Sequence, residues 1–101
     1  MPEPLDDRAL DATLHELGSW TGDRTGLHRE VTAPSFPAAI ELVRRIADVA
    51  EELDHHPDID IRWRTVRLAC STHSAGDAVT ELDVRLARAV EAVIAESGAG
   101  G

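Results

Sequence analysis

The spacing of apolar residues along this chain switches repeatedly between a helical and a strand period, and the switches divide it into seven elements. From about Asp6 to Leu17, Leu10, Leu14 and Leu17 recur on one helical face. Asp6 and Asp7 sit at the end where the helix dipole favours acids, and Gly18 is a suitable stop. A short strand around Trp20 and a second from Leu27 to Thr32 follow, joined by a turn rich in Gly22, Asp23 and Gly26. In the second strand Leu27, Arg29 and Val31 alternate with His28 and Glu30, which predicts one buried and one open face. A long helix then starts with Ser35 as cap and Pro37 in its first turn. Phe36, Ile40, Val43, Ala47, Ala50 and Leu53 trace its expected buried face. Pro57 keeps His56 out of helical geometry and ends the element.

Beyond Pro57 the period becomes two. Ile59, Ile61 and Trp63 share one parity and Val66, Leu68 and Cys70 the other, so the pattern predicts a hairpin with its turn or bulge at Arg64-Thr65. Arg62, Arg64 and Arg67 are read as solvated charge. The last helix starts at Thr80, with Leu82, Leu86, Val90, Val93 and Ile94 on its buried stripe. The order α-β-β-α-β-β-α predicts an α+β fold, a four-stranded antiparallel sheet with three helices packed on one face. Residues 1–101 form one domain, with 1–4 and 97–101 expected as disordered tails.

Composition narrows the function more than the fold. Nineteen acids against ten bases, all arginine, leave a net charge of −9, which disfavours nucleic acid and anionic membranes as partners. The one cysteine, Cys70, lies in an apolar run and reads as a buried thiol. No stretch has transmembrane length or the pattern of a secretory leader, so a cytoplasmic protein is expected.

The chemistry concentrates in Glu51-Glu52-Leu53-Asp54-His55-His56-Pro57, then Trp63, Ser71-Thr72-His73 and Asp83. Two adjacent histidines end the long helix. Glu51, four residues before His55, is expected to reach that imidazole, and His73 converges on the pair if the hairpin folds back over the helix. His15 and His28 read as ordinary surface residues. Asp83 has a plain structural role available, as the third residue of a capping box opened by Thr80. Trp63 could be core. A zinc site built from His55, His56 and His73 is a competing chemistry, but directly adjacent ligands point apart in regular structure, and no metal is expected.

Taken together, Glu51, His55, His56, Pro57, Trp63, His73 and Asp83 resemble the pattern of the pterin-4a-carbinolamine dehydratase family: an acid, three residues, His-His-Pro, an aromatic six beyond, Thr-His ten beyond that, and an Asp opening the last helix. The likeness extends from about Trp20 to Ile94. Two departures stand out: a loop from His73 to Asp83 one residue longer than usual, with Asp77 where a second Gly is common, and Arg64 in place of a frequent Asn. The resemblance implies a hydro-lyase that eliminates water from a 4a-hydroxytetrahydropterin without cofactor. It implies His55, His56, His73, Glu51 and Asp83 as catalytic residues, with His55 and His73 as proton-transfer pair, His56 positioning the pterin and open to a share in the acid role, and Glu51 orienting His55 as its cation. Asp54, Ser71, Thr72, Ser74 and Trp63 are implied in substrate binding, and a homodimer or homotetramer is implied as the assembly. The alternative is a dehydratase-fold module that acts as a dimerisation partner or assembly chaperone. The pathway served is left open between recycling an aromatic hydroxylase's cofactor and other pterin metabolism.

Overall fold

The computed structural model describes residues 2–99. Its elements follow the expected order: α1 (Asp7–Glu16), β1 (Thr21–Asp23), β2 (Gly26–Thr32), α2 (Phe36–Leu53), β3 (Asp58–Arg62), β4 (Thr65–Cys70), a 3-10 turn at His73–Ala75, and α3 (Glu81–Ser97). The strands form one antiparallel sheet in the order β1-β2-β4-β3. The predicted carboxy-terminal tail starts later than expected, because Ser97 belongs to α3 and Gly98 closes it in the left-handed conformation. Met1, Gly100 and Gly101 lie outside the described residues.

Local chemistry explains the boundaries. Asp6 caps α1 by accepting from the Ala9 N–H, and Ser35 caps α2 by accepting from that of Ala38. In the first hairpin Gly22 has φ 148, and a Cβ there would collide with the carbonyl oxygen of Gly26. Only glycine fits. The second hairpin turns at Trp63-Arg64, closed by the Arg62–Thr65 pair, one residue earlier than the sequence suggested. Trp63 takes the positive φ (56) that a two-residue hairpin loop demands.

The alternation along β2 is as expected: Leu27, Arg29 and Val31 are buried, while His28 and Glu30 are exposed. Arg29 remains inside because Glu91 on α3 accepts from its Nε at 2.6 Å and from Trp20 Nε1 at 2.7 Å. That shared carboxylate ties β2 and the residue that precedes β1 to α3. Val66, Leu68 and Cys70 of β4 complete the inner face of the sheet.

The long helix corrects the sequence reading. Its buried residues are Ala39, Leu42, Ile46 and Ala50. Of the expected stripe only Ala50 is buried; Phe36, Ile40 and Leu53 are 49%, 45% and 38% exposed. α2 carries two apolar stripes side by side, and the one holding Ala39, Leu42, Ile46 and Ala50 is the one buried in the core. No described helix is long and apolar enough to cross a membrane.

Candidate functional site

Three segments meet at one end of the sheet: the end of α2, the end of β4 with the turn after it, and the first turn of α3. Asp54 closes α2 in the left-handed conformation (φ 51, ψ 43), which Asp tolerates better than most residues. Its N–H donates to the Glu51 carbonyl at 3.1 Å and the His55 N–H to that of Ala50 at 3.0 Å, the two bonds of a Schellman closure. The chain thus leaves the helix before His55, and the helical relation between Glu51 and His55 is lost. The Glu51 carboxylate pairs with Nε2 of His56, not with His55 as expected from the spacing.

His55 turns inward, its side chain 11% exposed, and places Nε2 2.6 Å from Oδ1 of Asp83. Asp83 is fully buried, a costly place for a carboxylate unless every oxygen is satisfied. Its Oδ2 accepts from Thr72 Oγ1 and from the Thr80 N–H, both at 2.8 Å. With the Thr72 proton committed to Asp83, the Thr80 hydroxyl donates to Thr72 at 2.6 Å and accepts from the Leu82 N–H at 3.2 Å. Among the described residues no buried side-chain nitrogen or oxygen lacks a partner. Asp83 therefore completes the capping box of α3 and holds His55 at once.

His73 opens the 3-10 turn, and its Nδ1 lies 2.7 Å from Oδ1 of Asp77. Asp77 also has a positive φ (59), directly after Gly76 at φ 75. Asp77 thus supplies a carboxylate to the third histidine. The sequence reading noticed Asp77 only as an intrusion; the available signal was its spacing of four from His73. Each histidine of the constellation ends with its own acid: His55 with Asp83, His56 with Glu51, His73 with Asp77.

A hollow of about 230 Å³ lies between these segments, lined by His56, His73, Asp77, Ser71, Cys70, Asp58 and Ala69. His56 and His73 face it from opposite segments, while His55 stands behind in the buried network. Burial pushes the Cys70 thiol well above its ordinary range, and the neighbouring Asp83 carboxylate pushes it further. Cys70 therefore lines the hollow as a neutral thiol, not as a nucleophile.

The remaining expected residues are dispersed. Ser71 lines the hollow, but Thr72 is buried with its hydroxyl engaged by Asp83 and Thr80. Asp54 is exposed at the helix closure, and Ser74 is exposed in the 3-10 turn away from the hollow. Trp63 lies at the opposite end of the β3–β4 hairpin, about 16 Å along the strand from Asp58 at the ordinary strand rise. It is 74% exposed, with the Arg64 guanidinium 5.4 Å from its ring centre. Trp63 is neither core nor part of the hollow of its own chain. Among the described residues no three His, Cys, Asp or Glu side chains gather closely enough to hold a metal ion.

This arrangement can move protons. With one ring nitrogen of His56 and of His73 engaged by a carboxylate, Nδ1 of His56 and Nε2 of His73 are left to exchange a proton with a bound molecule.

A family model described as pterin 4 alpha carbinolamine dehydratase matches residues 3–93. A Mycobacterium tuberculosis protein named "Putative pterin-4-alpha-carbinolamine dehydratase" is 47% identical over 89 residues, covering 88% of this chain and 94% of its own. A Nocardia farcinica protein of the same name is 51% identical over 89 residues, covering 88% and 93%. Among solved structures, a transcriptional coactivator/pterin dehydratase from Brucella melitensis superposes with a TM-score of 0.82 at 31% identity, covering 88% of this chain and 96% of that one. A pterin dehydratase-like RuBisCO assembly factor shares the fold with a TM-score of 0.59 at 20% identity, covering 73% and 84%. The match of the family model across nearly the whole chain establishes that the chain belongs to the pterin 4 alpha carbinolamine dehydratase family.

Proposed function

We propose that this protein is a working pterin-4a-carbinolamine dehydratase, eliminating water from a 4a-hydroxytetrahydropterin to give the quinonoid dihydropterin. The observation that carries the reading is the hollow bounded by two histidines from different segments, each backed by its own carboxylate. The reaction breaks the bond between ring carbon 4a and its hydroxyl and removes the proton from the adjacent ring nitrogen, leaving a carbon–nitrogen double bond and one water. One imidazole delivers a proton to the departing hydroxyl as the other takes the nitrogen's proton. Histidine serves both roles near neutral pH because both of its protonation states are accessible there. His56 and His73 take these roles, since they reach the hollow. His55, fixed to Asp83, acts from behind by setting the shape of the wall that carries His56. The reading needs no cofactor and places the protein in the cytoplasm, in keeping with its single unpaired cysteine.

A homo-oligomer accompanies this reading. It is supported by the second apolar stripe of α2, where Phe36 and Ile40 lie about half exposed with Val43 and Ala47 continuing the row. The same stripe favours the alternative reading, a dehydratase-fold binding module acting as dimerisation partner or assembly chaperone. Retention of three histidines, each with its carboxylate, argues for catalysis, because a pure scaffold has no use for them. The deciding experiment adds purified protein to a chemically generated 4a-carbinolamine and follows dehydration by ultraviolet absorbance. Acceleration over the spontaneous rate supports the enzyme; no acceleration, with one stoichiometric protein partner recovered, supports the module.

A further inference from the structure

A carboxylate can only accept a hydrogen bond, so an imidazole nitrogen that meets one must carry the proton. The three pairs of the constellation therefore fix three tautomers. His55 and His56 meet their acids through Nε2, and His73 meets Asp77 through Nδ1. Neutral His55 and His56 are thus Nε2–H, while neutral His73 is Nδ1–H. That is the form a histidine free in water favours less. Something must hold it, and packing does not: the His73 side chain is 96% exposed, against 11% for His55.

The backbone of the loop delivers Asp77 to that ring. The Thr72 N–H donates to the Ala78 carbonyl at 2.8 Å, which closes the loop just outside His73 and Asp77. Inside it, the Ala75 N–H donates to the Thr72 carbonyl at 3.0 Å and the Gly76 N–H to that of His73 at 3.1 Å. Gly76 and Asp77 then take two successive left-handed conformations, φ 75 and 59. An aspartate accepts such a backbone at less cost than most residues, and its side chain returns to the imidazole four positions back. Beyond the loop, Val79 is anchored by both backbone groups: its N–H donates to the Arg24 carbonyl and its carbonyl accepts from the Leu5 N–H, both at 2.9 Å. Among the described residues the Asp77 carboxylate has one hydrogen-bond partner, and it is His73.

Building on the dehydratase reading, we propose that Asp77 is the positioning residue of His73: it selects the Nδ1–H tautomer and so keeps Nε2 free to exchange a proton with the substrate. His56 works in the opposite sense, with Nε2 engaged and Nδ1 free, so the two histidines serve the hollow through different nitrogens. Without Asp77 the His73 ring would turn freely and would mostly carry its proton on the nitrogen that has to accept one. Long-range nitrogen–proton correlation spectra of the neutral imidazoles read the tautomers directly. Wild type should show His73 as Nδ1–H and both His55 and His56 as Nε2–H. Asp77→Gly removes the carboxylate without strain, because glycine accepts a positive φ freely. With circular dichroism verifying the fold, this variant should move His73 to Nε2–H and leave the other two unchanged. In stopped-flow dehydration it should lower kcat about fivefold, the upper range for an exposed ion pair, with KM unchanged. Added to His73→Ala it should cause no further loss, because a residue that acts through His73 then has nothing to act on. The proposal is overturned by His73 as Nε2–H in wild type, or by an unmoved tautomer or an unchanged kcat in Asp77→Gly. A further loss in the double variant overturns it too. A wild type that accelerates no dehydration defeats the dehydratase reading instead, and the spectra then decide the tautomer alone.

Discussion

Oδ1 of Asp83 lies 2.6 Å from Nε2 of His55, while the same carboxylate closes the capping box of α3. One buried residue therefore fixes both where the last helix begins and how the first histidine is held. Asp83→Asn keeps the shape but puts an amide nitrogen where one of the two acceptor oxygens stands. It should destabilise the fold by about 2 kcal/mol or more, the combined scale of a lost cap and an unsatisfied buried donor. Urea denaturation measures the loss. Thr80→Ala, which removes the cap hydroxyl but not the carboxylate, should cost less; equal costs would mean that Asp83 serves the helix alone.

Asp77 has the opposite profile. It and His73 are largely exposed, and exposed ion pairs contribute little to stability. Asp77→Asn should leave the melting temperature within about 2 °C of wild type, since a surface change of this kind is worth roughly 0.5 kcal/mol or less. It should nonetheless lower kcat several-fold, because His73 loses the group that fixes its ring. A variant with wild-type kcat would show that Asp77 does not contribute to the reaction.

The sequence made the fold and the histidine constellation legible because both are written in short-range pattern: period, caps, Pro57 and the His-His pair. What it hid depended on which of two equivalent options the tertiary structure chose. On α2 the stripe of Ala39, Leu42 and Ile46 and the stripe of Phe36, Ile40 and Val43 both have helical spacing, and periodicity cannot say which meets the sheet. The pairing of Glu51 turned on a single backbone angle, the left-handed Asp54, that ends the helix before His55. Trp63 was displaced by the turn falling one residue early, which aims it outward from the far end of the hairpin. Asp83, by contrast, was legible as the third residue of a capping box, and it fills that place while also holding His55.

The exposed stripe of α2 makes its own prediction. Ile40→Glu puts a charge in the middle of an apolar surface that the fold itself leaves open. Light scattering with size exclusion should find wild type as a dimer or tetramer and the variant as a monomer with native circular dichroism. A monomeric wild type at micromolar concentration would contradict the assembly.

Cys70 gives the protein an alkaline limit. Burial and the Asp83 carboxylate raise its thiol well above the ordinary cysteine range, so at alkaline pH the folded chain keeps a proton that the unfolded chain releases. The contribution is fully present below about pH 9 and is lost as pH rises toward the folded value. Denaturation midpoints should therefore fall with pH above about 9, and Cys70→Ala should flatten that fall. The thiol should also resist alkylation at pH 8 until the protein is unfolded. Rapid labelling of the native protein would contradict the buried, neutral thiol.

The central claim is that His56 and His73 move the protons of dehydration across one hollow. Stopped-flow absorbance with a 4a-hydroxytetrahydropterin measures this in wild type, His56→Ala and His73→Ala. Each substitution should slow catalysed dehydration by at least ten- to a hundredfold, about the lower range for losing acid–base help, without unfolding the protein. Wild-type rates in both variants would contradict the account.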